Sequence, residues 1–148
     1  MEHATFRAVN QDGFVVDLIG PLADMSQAPA RFAPADLVLG EMPNLEWLVN
    51  TPAVDVVVIA DSGIPVKMNV CDPRAFALHK LWLSKEPSRD PIKKPRDEAQ
   101  GLLVAQMVLE YLPQYRFEAQ QLQFLPRWLR DETARRIEQA TDIRLGTR

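Results

Sequence analysis

Asp17 is the residue whose type fits its surroundings least. It lies in Phe14-Val15-Val16-Asp17-Leu18-Ile19, a run with the alternation of a strand. On a strand, Phe14, Val16 and Leu18 share one face, and Val15, Asp17 and Ile19 the other. Aspartate is depleted in strands and rarely buried without a partner. Two readings follow: a solvent-facing or edge carboxylate, or one displayed from a sheet into an active-site cleft.

The second concentration of chemistry is basic. Residues 73–96 carry seven Lys/Arg (Arg74, Lys80, Lys85, Arg89, Lys93, Lys94, Arg96) against Glu86 and Asp90, whereas residues 1–72 carry three against ten Asp/Glu. Such a stretch is either a solvated surface or a docking surface for phosphates or another polyanion. The net charge of the whole chain is −3, so no global field draws it to DNA or to an acidic membrane.

The remaining reactive types are sparse. His3 and His79 do not form a spaced metal pair, and His79 reads as a packed or interfacial side chain. Cys71 is the one cysteine, which excludes an internal disulfide and any multi-thiolate zinc site. It precedes a helix start, a place that can lower a thiol pKa, but it reads as a structural thiol. Gly13, Gly20, Gly40 and Gly63 never combine into a phosphate-cradling loop.

The elements that must position these groups change character at residue 72. Thr5–Val9 and Phe14–Ile19 read as a hairpin around Asn10-Gln11-Asp12-Gly13. Residues 21–44 look irregular, with a short helix or extended piece at 34–39. Val54–Ile59 and Ile64–Val70 flank Ala60-Asp61-Ser62-Gly63, a second hairpin whose nearly continuous apolar first strand reads as central. The alternation joins 4–19 and 54–70 in one mixed or antiparallel sheet. Asp72 then caps a helix with Pro73 at its first position. A second helix is expected from Pro95 to Leu112, with Ala99, Leu103 and Met107 on its apolar stripe and Leu102, Val108 and Tyr111 widening it. Two more are expected near 113–125 and 127–140. The resulting division is a β-rich region 1–72, a helical region 73–140 and a frayed tail 141–148.

With 148 residues, 47% hydrophobic and 25% charged, the chain can bury a core. No apolar run reaches the ~18 residues that cross a bilayer. The opening Met1-Glu2-His3-Ala4-Thr5-Phe6-Arg7 has neither a basic preamble nor an apolar stretch, so the expected setting is cytoplasmic, with no membrane partner.

Several ordered blocks then carry a resemblance. They are Phe6-Arg7-Ala8, Asp12-Gly13-Phe14 and Val16-Asp17-Leu18-Ile19, then Gly63–Val70, Asp72–Leu81, Ser84-Lys85, Arg89, Lys94 and Arg96-Asp97-Glu98-Ala99-Gln100. Over residues 5–125 the chain resembles a bacterial family of the DNA polymerase beta-like nucleotidyltransferase superfamily. The resemblance implies an α+β fold: a partial nucleotidyltransferase-like mixed or antiparallel sheet, then a C-terminal helical region. It implies transfer of a nucleoside monophosphate from an NTP to an acceptor, with Mg²⁺ as cofactor. Asp17 matches the third, metal-holding catalytic carboxylate. Lys80, Lys85, Arg89 and Lys94 would form a positive wall for the triphosphate or an anionic acceptor.

The superfamily's Gly-Ser motif and paired carboxylates have no counterpart in the 148 residues and would precede residue 1. One carboxylate cannot clamp two Mg²⁺ ions. The expectation is therefore a C-terminal part or truncated form, inactive as this isolated chain. The alternative is a non-catalytic interaction module, or a split-enzyme subunit whose missing motif another chain supplies. Uncovered sheet edge and apolar surface imply a homodimer or higher homo-oligomer.

Overall fold

Asn10 closes the first hairpin with its own side chain: Oδ1 accepts from the Asp12 N–H at 3.0 Å and the Phe14 N–H at 2.8 Å. Gly13 follows at φ 79°, a conformation that costs glycine little. The computed structural model describes residues 5–21, 31–32, 37–118 and 120–141. They fall into two compact units, Met1–Val49 and Asn50–Arg148.

In the first unit, β1 (Arg7–Val9) and β2 (Val15–Asp17) pair antiparallel, with Arg7 opposite Asp17. The expected strand 14–19 does not run through as one. At Leu18 the backbone changes neighbours: its N–H donates to Phe6 O and its carbonyl accepts from the Gly40 N–H, both at 2.8 Å. Beyond it, β3 (Ile19–Pro21) is followed by β4 (Arg31–Phe32) and β5 (Leu37–Val38), which pair antiparallel with each other. Strand β6 (Gly40–Met42) then runs parallel to β3. Gly40 permits this approach, because a Cβ there would lie 2.9 Å from Phe6 Cγ. The segment expected to be irregular thus contributes strands where it is described; residues 22–30 and 33–36 lie outside the described residues. Helix α1 (Glu46–Val49) ends the unit.

The second unit opens with β7 (Val54–Ile59) and β8 (Pro65–Val70), antiparallel from Val54↔Val70 to Ile59↔Pro65. Gly63 turns the chain at φ 80°. The apolar run of β7 suggested a central strand in one large sheet. Instead, among the described residues, the strands pair as four two-stranded ladders, with β1–β2 and β7–β8 in different units. The apolar residues of β7 do not sit in a sheet interior, and Val57, Val58 and Ile59 are exposed.

Asp72 caps α2 (Pro73–Leu83) as its spacing predicts, accepting from the Arg74 N–H at 2.8 Å. Helix α3 (Lys94–Tyr111) and helix α4 (Arg127–Thr141) follow, and α2 packs chiefly on α3. Leu78, Leu81, Val108, Leu129 and Ile137 form the centre of this core. Among the described residues of 113–125 there is no helix: i→i+3 turns run there, and the apolar Phe117, Leu122 and Leu125 are buried without one. The tail 142–148 lies outside the described residues. The chain is thus α+β, with paired strands followed by a helical region. Among the described residues no helix is long and apolar enough to cross a membrane.

The buried side of α3 is only partly the expected one: Val108 of the expected stripe is buried. Asp97, Gly101, Ala105 and Val108 face the core, while Ala99, Leu103 and Met107 are exposed. Small residues let α2 approach: a Cβ on Gly101 would lie 2.8 Å from Leu81 Cγ and 3.0 Å from the Ala77 carbonyl oxygen. Gly101→Ala sets a helix-propensity gain of up to about 1 kcal/mol against overpacking of about 1–3 kcal/mol. A backbone oxygen cannot swing aside, so the net is expected to be a loss of roughly 1 kcal/mol. Urea unfolding checks it; a variant more stable than the parent would contradict this packing account.

Candidate functional site

Asp97 is the hub of the second unit's charged groups. It sits in the first turn of α3, where the helix dipole favours an acid, and it is fully buried at 0% exposure. Lys80 of α2 donates through Nζ to Oδ1 at 2.7 Å, and Arg89 donates through Nε to Oδ2 at 2.7 Å. The Arg89 Nη2 group also lies 2.7 Å from Oδ2. Burial pushes this carboxyl up. The Arg89 and Lys80 hydrogen bonds outweigh that and hold it below the usual carboxylate range. Two cations on one anion leave a local surplus of one positive charge.

A second cluster adjoins the hub through the next residue. Glu98 accepts from Arg136 of α4 at 2.5 Å, with the Lys85 ammonium 3.6 Å away. Arg136 also donates to the Ser84 hydroxyl at 3.2 Å and to the Leu81 carbonyl. Its hydrogen bond holds Glu98 below its ordinary value. At the start of α2, Arg74 forks onto Asp72, with Nε 3.0 Å from Oδ1 and Nη2 2.6 Å from Oδ2. Its Nη1 donates to the Arg116 carbonyl and to Gln121 Oε1, at 2.8 and 2.6 Å. This guanidinium gathers the 113–125 segment without a helix.

The basic residues singled out by sequence therefore divide. Lys80 and Arg89 come together on Asp97, Lys85 lies at Glu98, and Lys94 opens α3, half-buried. His79, one residue before Lys80, is buried with its ring centroid 5.6 Å from that of Trp82. Burial first, then the neighbouring Lys80, lowers its pKa to about 4, so it is neutral near pH 7. Burial pushes the Cys71 thiol up, away from a reactive thiolate.

Asp17 belongs to the first unit and is described there alone. It stands at the surface on β2, opposite Arg7. Arg7 donates through Nε to Oδ1 at 2.7 Å and through Nη2 to Oδ2 at 2.8 Å, a bidentate fork that uses both oxygens. That hydrogen bonding holds the Asp17 carboxyl below its ordinary value. Among the described residues no group of three or more His, Cys, Asp or Glu is placed to hold a metal ion.

Sequence reasoning missed the hub itself, although Asp97 was within the blocks that carried the resemblance. The available signal was its place on one stripe with Gly101, Ala105 and Val108.

Residues 1–126 match the model of a family described as nucleotidyltransferase. No curated protein and no solved structure matches the chain.

Proposed function

The chain belongs to a nucleotidyltransferase family, and from that membership we propose that it serves as a non-catalytic interaction module built on the family fold. The observation that carries the reading is the occupancy of four described acids. Asp17 holds Arg7, Asp97 holds Lys80 and Arg89, Asp72 holds Arg74, and Glu98 holds Arg136. A magnesium ion needs near-octahedral oxygen ligation. Asp17 offers one carboxylate whose oxygens both already accept from a guanidinium, so the described residues do not fit the ion. In this proposal Mg²⁺ and NTP belong to catalytic members of the family. Asp17 keeps the strand position of the third carboxylate without its metal. Lys80 and Arg89 brace Asp97, Lys85 lies at Glu98, and Lys94 remains for solvent or an anionic partner.

The test is product formation from labelled nucleoside triphosphates, with Mg²⁺ and a panel of acceptors. The expected result is no product above background. Robust metal-dependent transfer by this chain overturns the reading. Transfer that appears only on adding a second chain with a Gly-Ser motif and paired carboxylates would make it a split-enzyme subunit instead.

A further inference from the structure

The outer face of α3 is a surface whose use the fold leaves open. At 100° per residue, Arg96, Ala99, Leu103, Gln106, Met107 and Glu110 fall on one side of the helix. All six are exposed, opposite the buried Asp97, Gly101, Ala105 and Val108. Leu103 is 67% exposed and Met107 40%, and Tyr111 extends the apolar surface at 73%. Apolar residues at this spacing are what a helix presents to another helix.

The order of residues along this face selects the partner. Arg96 lies seven residues before Leu103, and Glu110 seven after it; Ala99 lies four before, and Met107 four after. An antiparallel copy of α3 crossing at Leu103 therefore sets Arg96 against Glu110 of the second copy, twice by symmetry. It sets small Ala99 against large Met107. Leu103 meets itself on the axis. A parallel copy would instead place Arg96 on Arg96 and Glu110 on Glu110, a repulsive arrangement. Self-complementarity of this kind is the requirement of a two-fold interface.

We propose that this chain forms an antiparallel two-fold dimer through α3, centred on Leu103 and held in register by reciprocal Arg96–Glu110 pairs. The proposal deepens the interaction-module reading and rests on it for the partner's role. One helix face covers less than the ~800 Å² per partner of a standard stable interface. The dimer is therefore concentration-dependent, not obligate.

Sedimentation equilibrium of the full chain over a wide concentration range is the measurement. The expected result is a monomer–dimer equilibrium. Leu103→Glu places two carboxylates together on the axis and should weaken it by about tenfold or more. Its melting temperature should stay near the parent's, because the position is exposed and glutamate is a good helix former. Arg96→Glu alone and Glu110→Arg alone should each weaken the dimer, and the two combined should restore it. Recovery in the combined variant is a result that a merely structural role for either residue would not give. A mass that stays monomeric throughout overturns the proposal, as does a dimer indifferent to Leu103→Glu. Both outcomes are independent of the transfer assay, so failure of the dimer and failure of the non-catalytic reading remain distinguishable.

Discussion

Asp97→Ala should destabilise the second unit by about 3 kcal/mol, at the low end of the ~3–5 kcal/mol seen when a buried ion pair loses one partner. The substitution removes the acceptor for both Lys80 and Arg89, and their like charges then face each other without an anion between them. The low end applies because both side chains keep a path to solvent, at 17% and 20% exposure. Lys80→Met should cost less, since Arg89 still neutralises Asp97. Urea denaturation of the two variants checks the order. An Asp97→Ala variant within about 0.5 kcal/mol of the parent, the range of an ordinary surface substitution, would show that the hub does not hold the helices together.

What was legible in the sequence is what local chemistry decides. Asn10-Gln11-Asp12-Gly13 and Ala60-Asp61-Ser62-Gly63 each specify a tight turn, and both hairpins formed around them. Asp72-Pro73 specifies a helix start because the cap, the proline and the first N–H lie within three residues. The hub was not legible, because its pairs are distant in sequence. Lys80 to Asp97 spans 17 residues and Arg136 to Glu98 spans 38, and no spacing rule reaches that far. The apolar stripe on α3 was correctly located in sequence but only partly oriented: Val108 is buried, and Leu103 and Met107 are not. Hydrophobicity alone ranks Leu103 and Met107 above Gly101 and Ala105 as core residues. Close helix packing reverses that order, since α2 needs the space a glycine leaves. The same rule of thumb made a helix of 113–125, where a guanidinium, a proline and three buried apolar side chains shape turns instead.

Acid should unfold the second unit earlier than its carboxylates alone would require, and His79 is the reason. Its pKa in the folded chain is about 4, against 6.5 for the free side chain. Burial is the main cause, Lys80 and Arg89 add to it, and Asp97 opposes it. Between those two values the unfolded chain takes up a proton that the folded chain refuses, so stability falls as pH falls. The contribution is complete above pH 6.5 and gone by about pH 4. Across that window it amounts to on the order of 3 kcal/mol, because tenfold in proton affinity corresponds to about 1.4 kcal/mol. Asp97 acts in a lower window: its depressed carboxyl gives stability that is present above the ordinary aspartate value and lost only as pH falls through the folded one. Unfolding midpoints against pH, for the parent and for His79→Phe, separate the two groups. The aromatic replacement should flatten the curve between pH 6.5 and 4 and leave the steeper loss at lower pH in place. Identical slopes for both proteins in the upper window would mean that His79 does not set the acid limit, and the burial argument for its neutral form would have to be abandoned.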